Sequence, residues 1–278
     1  MSASGAISPT AHYTGQVWFR NGLSHPLLAT GEGRLMFDAL APAMRLARPL
    51  AHTTLEDYLL ARHRAIDALL SDAIAAAEVG QVIEIAAGLS ARGWRFVSRH
   101  PDLVYLEGDL PAMAARKRRA LAAMGSPVDR HRVLDLDARL PDGPGSLASL
   151  AVELPRGRAT AIITEGLLGY LAPEDVRGLW RRIAHTLSAF PAGVYLSDLH
   201  LGTAPSAAVR LFRTGLSAFV RGRVYLHFDT AAEAEDQLRA CGFDRASVRP
   251  AWEVLGDRAQ RGAPRAHILE ASTEPARV

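Results

Sequence analysis

Seven short apolar runs, separated by amphipathic stretches, constrain this chain more than any other feature of its 278 residues. They are QVIEIA (81–86), LVYLEGD (103–109), HRVLDLD (131–137), TAIITEG (160–166), GVYLSDL (193–199), ASVRPAWEVL (246–255) and AHILEAS (266–272). Runs this short, rich in β-branched and aromatic residues, read as strands. Between them SARGWRFVSRH, PAMAARKRRALAAMG, APEDVRGLWRRIAHTLSAF and TAAEAEDQLRACG read as helices. The third has Pro173, Glu174 and Asp175 in its first turn and Arg181, Arg182 and His185 near its end, which suits the helix dipole. Strand and helix taking turns implies a parallel sheet covered on both faces. The last two runs, joined by GDRAQRGAPR with no crossover helix, read as an antiparallel pair. The expected fold class is therefore α/β, with a seven-stranded, mostly parallel, Rossmann-like sheet.

Residues 22–78 hold no strand. DYLLARHRAIDALLSDAIAAAE places Leu59, Ile66, Leu69, Leu70 and Ile74 near helical spacing, so an N-terminal helical cap over 1–78 is expected before a core over 79–278. The stretch 203–225, TAPSAAVRLFRTGLSAFVRGRVY, exceeds an ordinary connection. It reads as an inserted lid over the carboxyl edge of the sheet, or as a structural excursion.

Composition excludes several classes. There is no stretch of eighteen apolar residues, and MSASGAISPTAHYTG lacks the basic-then-apolar order of a secretory leader, so a soluble cytoplasmic protein without a membrane partner is expected. The single cysteine, Cys241, can form no internal disulfide and has no partner at metal-ligand spacing; no metal is expected. The net charge of +3 comes from arginines dispersed among carboxylates. The one dense run, Arg116-Lys117-Arg118-Arg119, lies in a helix and reads as a solvated face, not a nucleic-acid surface.

Ligands of open parallel sheets bind beyond the carboxyl ends of the strands. Here those ends carry Glu84, Glu107, Asp109, Asp135, Asp137 and Glu165. The loop AAGLSARG offers only Gly88 and Gly93, short of a dinucleotide fingerprint, and there is no Gly-Lys-Ser/Thr phosphate loop. An acidic rim is unwelcoming to phosphates and suits a cationic ligand. S-adenosylmethionine is one, and Glu107, about 20 residues past the loop, stands where a carboxylate can receive ribose hydroxyls.

VIEIAAGLSARGW, VYLEGDLPAMAARKRRAL, VLDLDARL and IITEGLLGYLAPEDV, in that order, resemble the successive motifs of the leucine carboxyl methyltransferase family and its bacterial small-molecule O-methyltransferases. ARHRAID resembles the family's Arg-x-x-x-Ile-Asp segment, so the resemblance spans roughly 55–190. It implies S-adenosylmethionine as cofactor, a class I methyltransferase sheet and a helical substrate cap. Residue by residue, it implies that Arg62 meets the cofactor carboxylate and that Gly88 is the central loop glycine. Asp109 and Glu107 would flank the ribose, Asp135 and Leu136 the adenine, and Glu165 the methionine part. The chain departs from the family at Ala86, usually Gly, and at Ser90, usually Gly or Asp.

Other readings stand beside these. Arg62 could pair with Asp67 or Glu56 on a helix surface. Glu84 could contact the cofactor or serve structure alone, and Asp137 reads as a turn cap. A carboxylate acceptor arrives ionised and needs no general base. A phenol or alcohol would need one, with His200 the candidate and Tyr170 a further possibility. Tyr13, Arg20, His25, His200, Arg210 and Arg213 are candidate substrate contacts. The expected function is methyl transfer to a small molecule, a carboxylate of specialised metabolism; a nicotinamide-dependent oxidoreductase and a non-catalytic nucleoside-binding module are the rivals.

Overall fold

In the computed structural model the described residues are 9–51, 54–202, 225–256 and 266–274. Three helices come first: α1 (Pro9–Arg20), α2 (Gly31–Ala51) and α3 (Leu55–Ala75). The sheet strands follow as β1 (Gln81–Ile85), β2 (Val104–Asp109), β3 (His131–Asp135), β4 (Thr160–Thr164), β5 (Gly193–Leu199), β6 (Arg245–Pro250) and β7 (His267–Thr273). Helices α4 (Arg92–Arg99), α5 (Pro111–Ala123), α6 (Leu147–Ala151), α7 (Pro173–Leu187) and α8 (Ala231–Ala240) connect them, and α9 (Ala251–Leu255) follows β6.

The strand order is β3-β2-β1-β4-β5-β7-β6. All neighbours are parallel except β7, which runs antiparallel to both β5 and β6. The order reverses between β1 and β4, where two crossovers leave in opposite directions and open a crevice at the carboxyl ends.

Period-two alternation distributes the core. Ile83 and Ile85 face one layer with Leu150, Ile162 and Trp180, while Val82 faces the other with Ile66, Leu70 and Phe96 of α3 and α4. The same alternation turns Glu84 toward the α3/α4 layer, inside a strand buried along its whole length. Helix α3 thus shares a core with the sheet, and Thr54 and Asp57 cap its start reciprocally. Tyr13 and Val17 of α1 pack on Leu55, Leu59 and Leu60 of α3.

Two expectations need correction. The run 246–255 is not one strand: Pro250 has no N–H for the ladder and ends β6, capping α9, whose Trp252, Val254 and Leu255 resemble strand residues in composition alone. The run 116–119 is not simply a solvated face either, because Lys117 turns inward to a buried carboxylate. The lid expected at 203–225, with Arg210 and Arg213, falls outside the described residues except for Tyr225. Among the described residues no helix is long and apolar enough to cross a membrane.

Candidate functional site

A cavity of about 100 Å³ opens where the carboxyl ends of β4 and β5 meet α1 and α3. Arg62 forms part of its wall, with Tyr58 and Leu59 beside it on α3 and Gly166 and Asp198 across from it. Arg62 Nε donates to Glu165 Oε1 at 3.1 Å and Nη1 to Asp198 Oδ2 at 3.1 Å. The surface alternative for Arg62 does not occur: Glu56 accepts from Asn21 Nδ2, and Asp67 is engaged elsewhere. Burial works against the charge of Arg62, but Asp198 and Glu165 hold it ionised well above its ordinary range. Its Nη2 makes no further hydrogen bond among the described residues.

Behind this mouth lies a closed network. Arg92, the first residue of α4, is fully buried; its Nε meets Asp67 at 2.6 Å, Nη1 meets Glu84 at 2.5 Å and Nη2 meets Glu165 at 2.6 Å. Tyr105 Oη donates to the other Glu84 oxygen, at 2.7 Å. Arg95 Nη2 reaches Asp67 at 2.7 Å. His63 Nδ1 lies 2.8 Å from Glu165 and its Nε2 lies 2.8 Å from Arg95 Nη2. Arg92 Nη2 also lies 2.8 Å from Nδ1, so the ring is wedged between one carboxylate and two guanidinium groups. Asp67, Glu84, Glu165 and Asp198 are thus interleaved with Arg62, Arg92, Arg95 and His63, and of the four carboxylates Asp198 lines the cavity.

Burial alone would raise the Glu165 carboxyl, but His63, Arg92 and Arg62 overcome it and hold the group well below the usual carboxylate range. Asp67 is lowered in the same way, burial being outweighed by His63, Arg92 and Arg95.

The loop after β1 lies along the rim. Ala86 takes a φ of 55° and Gly88 one of 52°, so two left-handed residues fold the chain tightly back. A Cβ on Gly88 would meet nothing closer than 3.9 Å, so its left-handed backbone, not crowding, favours glycine. Gly88 N donates to Asp109 Oδ2 at 2.7 Å, and Leu110 N donates to Oδ1 at 2.8 Å. Burial raises the Asp109 carboxyl against the pull of these two N–H groups. Helix α1 leans on the loop, its Gly15 close enough to Leu89 that a Cβ would sit 3.2 Å away.

The expected residues divide. Arg62 lines the cavity and binds Glu165, while Gly88 and Asp109 meet each other beyond the ends of β1 and β2 and are not among the cavity's lining residues. Glu84 and Glu107 lie beneath the crevice with their oxygens engaged: Glu107 is fully buried between His131 Nε2, at 2.7 Å, and Lys117 Nζ. Strand alternation sends both glutamates under the helices, away from the rim. Asp135 is exposed and pairs with Arg118 at 2.9 Å, whereas Leu136 is buried against Gly108, where an added Cβ would come within 2.9 Å. Asp137 accepts from Arg139 N, a turn contact.

Of the candidate acceptor contacts, Tyr13, Tyr170 and His200 line the cavity. Tyr170 Oη donates to Thr10 Oγ1 at 3.2 Å, and Tyr58 Oη lies 2.8 Å from His200 Nε2. Arg20 instead stacks on Phe37, and His25 accepts from Leu27 N and edges against Trp94. Sequence reasoning missed Arg92, Arg95, His63 and Asp198. The signal was present for Arg92: two carboxylates inside apolar strands require a cation, and an arginine opening the next helix is in reach.

A family model described as leucine carboxyl methyltransferase matches residues 18–184, more than half of the chain. A protein of Mycolicibacterium vanbaalenii, provisionally described as an S-adenosyl-L-methionine-dependent methyltransferase, is 33% identical over 189 residues, 65% of this chain and 56% of that one. The chain spans about half the length of such curated relatives. Among solved structures, a provisionally described methyltransferase from Thermobifida fusca has a TM-score of 0.65 at 15% identity, covering 98% of this chain and 97% of its own. Human N-acetylserotonin methyltransferase in complex with SAM has a TM-score of 0.51 at 15% identity, covering 95% of this chain and 67% of its own. These likenesses share the seven-stranded fold.

Proposed function

Because the chain belongs to the leucine carboxyl methyltransferase family, we propose that it is an S-adenosylmethionine-dependent O-methyltransferase acting on a small-molecule acceptor. The observation that carries this reading is the open end of the charge network, where Arg62 and Asp198 line one cavity with Glu165 bound behind them. An amino acid zwitterion fits both: its carboxylate on Nη2, its ammonium beside Glu165 and Asp198. Asp109, held by Gly88 and Leu110, would receive the ribose hydroxyls, with Asp135 and Leu136 bounding the adenine. Glu84 and Glu107 act beneath the rim as positioning residues, the first through Arg92 and the second through Lys117.

When bound, the sulfonium donor supplies a methyl group for in-line displacement. The protein aligns the acceptor, excludes water and neutralises the donor's charge. Helices α1 and α2 form the acceptor-side cap in this reading, α1 contributing Tyr13 and Thr14 to the cavity. A carboxylate acceptor, such as one of specialised metabolism, needs no base. Its charge must be matched, and among the described lining residues Arg62 is the one permanent cation, already doubly paired.

Titration calorimetry with S-adenosylmethionine and its demethylated product tests the reading. Micromolar binding, followed by label transfer from the methyl donor to a small acceptor, supports it. No heat with either nucleoside would remove it and leave the oxidoreductase or scaffold readings.

A further inference from the structure

We infer that α1 is a strap shared by both substrates: it walls the acceptor cavity and covers the cofactor loop, so the nucleoside exchanges only when α1 lifts. The inference rests on the methyl-transfer reading above and adds a gated step to it. One helix can serve both places because its turns present adjacent faces. Thr10, Tyr13 and Thr14, three and four positions apart, line the cavity. Ala11 and Gly15, also four apart, meet the loop after β1: a Cβ on Gly88 would lie 3.9 Å from Ala11 Cβ, and one on Gly15 would lie 3.2 Å from Leu89 Cβ.

Sheet topology turns these contacts into a bridge. β1 and β4 are neighbours at the reversal of strand order, and α1 is bound beyond the ends of both. On the β1 side it touches Gly88 and Leu89; on the β4 side Tyr170 Oη donates to Thr10 Oγ1 at 3.2 Å. Asp109 is tied to Gly88, whereas Arg62 lines the cavity. A nucleoside whose sugar meets the first and whose methionine part reaches the second therefore passes beneath α1.

The helix is held unevenly. Toward α2, His12 Nδ1 lies 2.9 Å from Thr30 Oγ1, and Gly33 sits so close to the His12 carbonyl that a Cβ there would collide with it. Toward α3, Tyr13 and Val17 are buried against Leu55, Leu59 and Leu60, and Trp18 packs on His63 with ring centroids 4.7 Å apart. Toward the loop and Tyr170 there are only an alanine, a glycine and one hydroxyl pair. Small side chains approach closely but bury little apolar area, so this side separates most cheaply. Lifting there carries α2 along and opens the cofactor loop and the cavity wall together.

The test uses the full chain, with the demethylated donor product as probe in stopped-flow and calorimetry. Gly15→Cys with Leu89→Cys pins α1 to the loop, since a gap of 3.2 Å needs only a small adjustment to reach the disulfide range of about 3.5–4.5 Å. The native Cys241 is buried. Oxidised, the pair should slow both binding and release of the product about 10-fold or more, and dithiothreitol should restore them. Gly15→Val acts the other way: its branches push α1 off Leu89, and release should quicken roughly 3- to 10-fold. Damage to the fold alone would move both variants in one direction. In the unaltered protein, amide exchange across α1 should slow when the product is bound, which covers the case in which neither variant folds. Rates indifferent to oxidation, slower release in Gly15→Val, or exchange across α1 unchanged by the product would overturn the inference. No heat with the product in the unaltered protein would sink the methyl-transfer reading, and this inference with it.

Discussion

Arg92 and Arg62 hold the same carboxylate, Glu165, from opposite sides. Arg92 is sealed beneath α3 and α4 with every guanidinium nitrogen engaged, while Arg62 lines the cavity, its Nη2 making no further hydrogen bond among the described residues. The chemistry is alike, but the consequence differs with access. A closed cluster can only specify the fold, because no ligand reaches it. An open one meets whatever enters the cavity, and this is what recognition requires. The same division recurs at β2, where Glu107 is closed between Lys117 and His131 while Asp109, two residues on, reaches the rim.

The comparison breaks most readily at its closed side. Arg92→Met strands Asp67, Glu84 and Glu165 without their main cation and should cost about 3–5 kcal/mol, read by chemical denaturation. Arg62→Met should cost less in stability, since water can enter the cavity. With Asp109→Asn it should weaken the demethylated donor product about 10- to 100-fold, which is about 1.4–2.8 kcal/mol by calorimetry. Equal stability losses in Arg92→Met and Arg62→Met, with affinity untouched, would erase the distinction.

Acid sharpens it. Glu165 and Asp67 have lowered folded-state values, so the unfolded chain binds more protons; their stabilisation is full above the ordinary carboxylate range and is lost as pH falls through the folded values. Asp109 has a raised value and works the other way: its contribution, present below the ordinary aspartate value, is lost as pH rises through the folded one. Melting temperature should therefore drop below about pH 4, and the drop should be shallower in Glu165→Gln than in Asp109→Asn. The smallest effect is local. Ala86→Gly relieves a left-handed alanine in the rim loop and should stabilise by up to about 1 kcal/mol, a shift of a few degrees in a thermal melt.

Much of the fold was legible because strand-forming runs alternate with helices having charged first and last turns. α7 begins on Pro173 and β5 spans Gly193–Leu199 as the patterns suggest. Where Pro250 divides an apolar run, composition misled, since Trp, Val and Leu suit either element and the break depends on a missing N–H. The acids at the strand ends were legible as a group but not individually. Glu84 and Glu107 read like Asp109 and Glu165 along the chain, yet they turn beneath the sheet.

The sequence alone determined which residues must leave water and that carboxylates would end up among them, since periodicity and hydrophobic composition act locally. It could not decide which carboxylates would be closed and which open. Partners such as Arg92 for Glu84 and Asp198 for Arg62 lie 8 and 136 residues away in the chain. Electrostatic interaction depends on distance and desolvation in space, and only the crossovers of the sheet set those.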